Sequence, residues 1–198
     1  MDQNLYQLIL ASQSPRRKEL LTHLGVSFAI EPANIDEEIE FDNAAHLVET
    51  LAYQKAKEVL SHHKSNVIVI GSDTTVALGD KIYNKPKNLE EAVGFLESLS
   101  DKVHEVVTGV AIISKEVQKV FHVKTKVKFK KLSMLDIENY LKFNEYQDKA
   151  GAYGIQGAAG VFVESLEGSY SSVVGLPQAE ILEAFEEWLG EEWRNKFV

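Results

Sequence analysis

The spacing of apolar and polar positions divides the chain into short elements. Leu8-Ile9-Leu10 is an apolar run that gives way to the small polar loop Ala11–Ser14. Pro15 then stands at a first helical position, with Ser14 as N-cap and Gly25 just past the end, so a strand, a loop and a helix are predicted over 8–25. Val26–Ile30 reads as a short strand, and an acidic connection follows. Asn43 to Leu60 is the clearest helix, because Val48, Leu51, Ala52, Ala56 and Val59 recur at its period. Val67–Ile70 is β-branched and apolar on both faces, as a central strand requires, and it ends in Gly71-Ser72-Asp73-Thr74-Thr75. Lys81–Lys87 reads as a hairpin arm or loop, and Leu89–Leu99 as an amphipathic helix. Two long paired strands are predicted at Val103–Ser114 and Val117–Phe129, then a helix from Ser133 to Phe143. The segment 148–160 carries glycine at every third position from Gly151 to Gly160 and reads as a shaped loop. Closing strands at Val161–Val163 and Tyr170–Val174 precede a terminal helix whose apolar face holds Ala179, Leu182, Phe185 and Leu189.

No repeat or linker divides the 198 residues, so a single domain over 1–198 is expected. The absence of cysteine removes disulfides and thiolate metal sites and suits a reducing compartment. No apolar run reaches the length of a membrane span, and no basic segment followed by an apolar one opens the chain. A cytoplasmic protein without a membrane partner is the expectation. The net charge of −9 argues against a nucleic-acid partner. It also repels polyphosphates at long range, so phosphate chemistry here needs a local cluster of cations or a bound metal.

Such a cluster is present. Two of the three arginines, Arg16 and Arg17, fall in the first turn after Pro15. That turn already carries the positive end of the helix dipole and unpaired N–H groups, which favours carboxylates and disfavours arginine. Two guanidinium forks placed there make a strong anion site. Lys55 falls inside the apolar stripe of its helix, so its ammonium must end at a carboxylate, a carbonyl or an anionic ligand. Asp73 delivers a carboxylate, with hydroxyls around it, to the predicted end of a central strand. Lys85 adds a point charge before Pro86, and Glu37 adds a second hard oxygen ligand. Mg²⁺ or Mn²⁺ held by one or two carboxylates and substrate phosphates completes such a set, which points to metal-assisted hydrolysis of a phosphoanhydride. In the glycine-rich loop Gln156 can donate and accept, as the reading of a base edge requires. Lys124, Lys126, Lys128 and Lys130 alternate along one strand face and read as edge-strand protection. His62, His63 and His122 read as surface residues, and His46 and His104 have no recognisable partner.

The segments LASQSPRRKELL, GSDTTV, NKP, VVTGV, DKAGAYGIQG and SVVGLP together resemble the Maf family of nucleoside triphosphate pyrophosphatases, in order and over nearly the whole chain. The resemblance implies an α/β fold, an elongated mixed sheet flanked by helices with a deep central cleft, as in Maf and ITPase-like proteins, often dimeric. It implies a cytoplasmic enzyme that cleaves a nucleoside triphosphate to monophosphate and diphosphate. SPRR with KAGAYGIQG is similar to the branch acting on dTTP and UTP. By the same resemblance Asp73 is the proton acceptor, and Arg16, Thr74 and Gln156 set substrate preference. Ser12, Arg17, Glu37, Lys55 and Lys85 match positions that hold phosphates or metal. Asn84 stands before Lys85 where glycine or glutamate is common, and LSDKVHEV replaces the more usual LSGKTHEV. Three other readings are a pyrophosphatase for a methylated or modified nucleotide, a nucleotide-binding regulator of cell division without turnover, and a nucleic-acid module using the lysine face.

Overall fold

The computed structural model describes residues 5–64 and 66–198. Among these, seven strands form one mixed sheet in the order β2-β1-β3-β5-β6-β7, with β4 paired to β3, and helices flank it. The expected α/β class with a mixed sheet is what the chain adopts. Two compact units can be distinguished. The first comprises the chain up to Asp73, Thr108–Val123 and Gly175–Val198; the second comprises Thr74–Val107 and Lys124–Val174.

In the first unit β1 (Gln7–Leu10) lies between β2 (Ala29–Ile30) and β3 (Val67–Leu78), parallel to both, with Leu10 opposite Ile30 and Ile70. Between β1 and β2 runs α1 (Pro15–Thr22), and α2 (Ala44–Ser61) leads on to β3. Asn43 caps α2 by accepting from the His46 N–H at 3.0 Å, and the predicted stripe is buried. Ile9, Ala52, Ala56, Val59, Val69 and Ala111 form a core there. Two glycines let α2 lie directly on strand backbone. A Cβ at Gly71 would come within 2.1 Å of the Ala52 carbonyl oxygen, and one at Gly109 within 2.3 Å of the Val48 carbonyl oxygen. The C-terminal helix α6 (Gln178–Leu189) buries Ile181, Ala184 and Phe185, and Phe185 stacks on Trp193 at 5.1 Å.

In the second unit β4 (Lys81–Tyr83) closes a hairpin on β3, and α3 (Leu89–Leu99) begins at the cap Asn88. Long strands β5 (Val103–Ile113) and β6 (Gln118–Phe129), each divided between the units, are neighbours in the sheet. A capping box formed by Ser133 and Asp136 starts α4 (Met134–Leu141). The core gathers Val76, Tyr83, Leu96, Val127, Phe129 and Tyr140 with residues of the glycine-rich loop.

Several elements differ from the sequence reading. Only Ala29–Ile30 of the 26–30 segment pairs as a strand. Gly71–Thr75 does not end β3 but lies within it, because Gly71 is dictated by contact with α2 rather than by a turn. The closing strand is β7 (Val163–Glu167), whereas α5 (Tyr170–Val174) is helical. There the Ser169 hydroxyl accepts from the Ser172 N–H at 3.3 Å, so a local cap overrides the strand preference of tyrosine and valine. In α6, Phe185 is buried as expected and Leu182 and Leu189 are half-buried, but Ala179 is exposed, and Ile181 and Ala184 complete the buried face. β6 is not an edge strand: β7 pairs along Lys126–Phe129, so edge protection does not account for that part of the lysine row. Asp101 has φ of 57° and takes the left-handed conformation for which glycine is the usual choice, while Lys128 donates to its carbonyl at 2.7 Å and its carboxylate at 2.8 Å.

Candidate active site

The loop between β1 and α1 is organised by hydroxyls. The Ser12 hydroxyl accepts from the Ser14 N–H at 3.2 Å, and the Ser14 hydroxyl caps α1 by accepting from the Arg17 N–H at 3.4 Å. Arg16 and Arg17 are both half-buried in this first turn, where no carboxylate of α1 accompanies them. Arg17 Nε donates to the Gly175 carbonyl at 2.8 Å, and its Nη1 donates to the Ser12 hydroxyl at 3.4 Å. The Gly175 carbonyl also accepts from the Ser72 hydroxyl at 3.0 Å. Gly175 has φ of 126°, which only glycine adopts without strain, so the carbonyl that receives both donors depends on that residue. Burial lowers the Arg17 pKa, opposed by Asp73, while Arg16 lowers it further and Glu37 raises it.

Lys55 projects from α2 with 8% of its surface exposed. Its Nζ lies 2.7 Å from Asp73 Oδ1 on β3 and 2.7 Å from Glu37 Oε1 in the acidic connection. An ammonium so buried is tolerated because two carboxylates replace its water. The predicted set Ser12, Arg17, Lys55, Glu37 and Asp73 is thus joined in the first unit by direct contacts and by the field that Asp73 and Glu37 exert on Arg17.

The remaining predicted residues belong to the second unit. Thr74 follows Asp73 in β3, where successive side chains point to opposite faces, so Asp73 shares its face with Thr75 and not with Thr74. The Thr75 hydroxyl is buried and donates to Asn84 Oδ1 at 2.9 Å, and the Asn84 carbonyl accepts from the Gly151 N–H at 3.3 Å. Asn84 therefore ties β3 to the glycine-rich loop immediately before Lys85, which is exposed. Gln156 is exposed within that loop.

Residues 7–188 match the model of the family described as Maf-like protein. The chain belongs to the Maf family. A dTTP/UTP pyrophosphatase of Hahella chejuensis is 45% identical over 185 residues, covering 92% of this chain and 92% of that protein. The dTTP/UTP pyrophosphatase of a Geobacillus species is 50% identical over 172 residues, covering 86% and 92%. A HAM1 protein from Coxiella burnetii has a solved structure with a TM-score of 0.47 and 15% identity, covering 94% of this chain and 100% of that one.

In this Maf chain several partners are invisible in the sequence. His104 is buried, and its Nε2 is hydrogen-bonded to the Tyr153 hydroxyl at 2.8 Å, with Phe129 edge-on at 4.8 Å. Burial pushes the imidazole down to a pKa of about 4. His46 also has a partner, Asp42, at 3.3 Å. His62 lies 2.6 Å and His63 2.8 Å from the two oxygens of Glu31, and His122 lies 2.7 Å from Glu49. Glu49 and His122 stand 73 positions apart, and Glu31 reaches His62 and His63 from 31 and 32 positions away, so no local spacing signals these pairs; Asp42–His46 and a further pair, Glu58–His62 at 3.2 Å, do have the i, i+4 spacing of a helix turn. Among the described residues no group of three or more His, Cys, Asp or Glu side chains forms a metal cage, and no helix is long and apolar enough to cross a membrane.

Proposed function

We propose that this Maf protein hydrolyses dTTP and UTP to the monophosphate and diphosphate, with Asp73 as proton acceptor. The observation that carries the reading is the Lys55 ammonium held 2.7 Å from both Asp73 and Glu37, in the same unit as the arginine pair at the start of α1. Relatives named as dTTP/UTP pyrophosphatases over nine-tenths of the chain support it. Arg16 and Arg17 bind the triphosphate at the N-terminal turn of α1, where the helix dipole adds to their charge. The bond from Arg17 Nε to the Gly175 carbonyl orients that guanidinium before substrate arrives. Lys55 occupies Asp73 Oδ1, which directs the remaining carboxylate oxygen toward a water positioned for in-line attack at the α-phosphorus. The proton passes from that water to Asp73, the oxygen–phosphorus bond to the diphosphate breaks, and the lysine ammonium groups stabilise the charge that develops.

A divalent cation fits the donor set, since two hard carboxylates are already brought to one cation, an arrangement a Mg²⁺ or Mn²⁺ ion shares with substrate phosphates. Glu37 and Asp73 would hold it. When bound it supplies charge neutralisation of the triphosphate. The roles that family resemblance carries to Arg16, Thr74 and Gln156 in substrate preference, and to Lys85 in holding phosphate, belong to the same proposal, as does a cytoplasmic location.

Diphosphate release from a panel of nucleoside triphosphates with Mg²⁺ or Mn²⁺ tests it. Turnover is expected for dTTP and UTP above the other nucleotides. Binding without turnover across the panel would favour a regulator, and a purine preference would overturn the assigned substrate.

A further inference from the structure

The loop that carries Gln156 is anchored on both sides. Before it, the Tyr140 hydroxyl donates to the Ala152 carbonyl at 3.1 Å, and Tyr153 is bonded to His104. After it, the Ala158 N–H donates to Glu145 Oε2 at 2.9 Å. Glu145 comes from the segment just after α4, and its carboxylate reaches Ala158 only because residue 157 has no side chain. Gly157 has φ of −97°, open to any residue, so conformation does not require glycine. Clearance does: a Cβ there would lie 2.0 Å from Glu145 Oε2. Gly154 serves the same end, since its Cβ would lie 2.6 Å from Lys149 Cε. That lysine in turn donates to Asp148 at 2.8 Å and to the Glu145 carbonyl. Two of the regularly spaced glycines are therefore openings for side chains of the 145–149 segment.

We propose that Glu145 is a positioning residue for nucleotide selection: lodged over Gly157 and bonded to the Ala158 N–H, it holds the loop tip so that the Gln156 amide meets the base in one register. This rests on the reading of Gln156 as the residue that recognises the base. Uracil and thymine present an N–H donor at N3 beside the O4 acceptor, whereas cytosine presents an acceptor at N3 beside an amino donor. A glutamine amide matches either edge when turned by half a rotation. A mobile tip accepts both edges; a held tip favours one. Glu145 itself touches no reacting atom.

The test compares Glu145→Ala, Glu145→Gln and Gly157→Ala with the wild type, reading kcat and KM for dTTP and dCTP. Loss of one charge-assisted bond predicts that Glu145→Ala and Gly157→Ala each lower the preference for dTTP by about tenfold. Glu145→Gln keeps an acceptor oxygen and retains most of the preference. The double variant Glu145→Ala/Gly157→Ala is no worse than either single one, because both remove the same contact. Unchanged preference in both single variants would overturn the proposal. A second readout needs no turnover: hydrogen exchange at the Ala158 amide accelerates about tenfold in Glu145→Ala, and wild-type protection there would also overturn it. A wild-type protein that hydrolyses no triphosphate overturns the functional reading instead, and the exchange comparison then still decides the clasp.

Discussion

The two functional regions are held by opposite means. Around Lys55, charge is held by charge: an ammonium from α2 joins a carboxylate from β3 and another from the irregular acidic connection, each at 2.7 Å. The glycine-rich loop is irregular backbone held mostly by neutral groups, the Tyr140 and Tyr153 hydroxyls, a buried histidine and the Asn84 carbonyl, with Glu145 as a carboxylate anchor. The difference teaches which properties each region can supply. Paired charges on a helix and a strand give a strong, fixed field, suited to phosphate chemistry. Neutral bonds and glycine clearances fix a shape without imposing a field, suited to discriminating between uncharged bases.

The comparison breaks most visibly at Asp73. Asp73→Asn keeps the shape of the side chain and removes the base, so turnover should fall by about 10³-fold while nucleotide affinity is kept. Loop variants should alter preference far more than rate. Diphosphate release measured beside nucleotide binding checks this, and wild-type turnover in Asp73→Asn would end the proposed mechanism.

Protonation separates the regions next. His104, in the second unit, has a folded-state pKa of about 4 against 6.5 in the unfolded chain, because burial opposes its charge. Between these values the unfolded chain takes up a proton that the folded chain refuses. Stability is therefore complete above pH 6.5 and is lost as the pH falls toward 4, by about 3 kcal/mol in all. His62, in the first unit, runs the other way. The bond to Glu31 raises its pKa, so its contribution is complete below the unfolded value and disappears as the pH rises through the folded one. Urea unfolding between pH 4 and 7 should show an acid loss in the wild type that is flattened in His104→Phe. Parallel curves for the two proteins would refute the burial argument.

A smaller effect is expected at Lys55. Lys55→Met leaves Asp73 and Glu37 facing each other without the ammonium. The cost is about 2 kcal/mol, below that of a fully buried pair because Glu37 is 46% exposed. Thermal unfolding should then fall by about 6 °C for a chain of this size. Adding Asp73→Asn removes one of the opposed charges and should restore part of the loss, whereas additive losses would show that the three groups do not act as a unit.

These contrasts also explain what was legible in the sequence. A lysine inside an apolar stripe announces a buried charge, and a buried charge requires partners, so Lys55 could be singled out before its geometry was known; Asp73 stood out by its place after a central strand and Glu37 as a hard oxygen ligand of the acidic connection, with nothing to mark either as the partner of Lys55. The cap at Ser14 and the helices at Asn43–Leu60 and Leu89–Leu99 were legible because their signals are local. The extension of β3 was not. Gly71-Ser72-Asp73-Thr74-Thr75 has the composition of a turn, and the helix contact that demands its glycine comes from residues nearly 20 positions away. His104 found its partner 49 residues on, and nothing near it in the chain signals Tyr153. Gly157 reads in the sequence only as part of a shaped loop, because the Glu145 carboxylate for which it leaves room comes from the segment after α4.

The smallest effect tests whether charge alone is enough to hold anything. Lys126 and Glu167 face each other across β6 and β7 at 3.5 Å, and their side chains are 53% and 79% exposed. Water screens such a pair, and ordering two long side chains offsets most of the attraction, so Lys126→Ala should change stability by less than about 0.5 kcal/mol. Urea unfolding of this variant beside Lys55→Met places the two lysines on one scale. Both have a carboxylate within reach, but only Lys55 has lost its water, and desolvation is what converts a contact into a constraint. Equal losses in the two variants would mean that burial is not what distinguishes the Lys55 cluster from an ordinary surface pair.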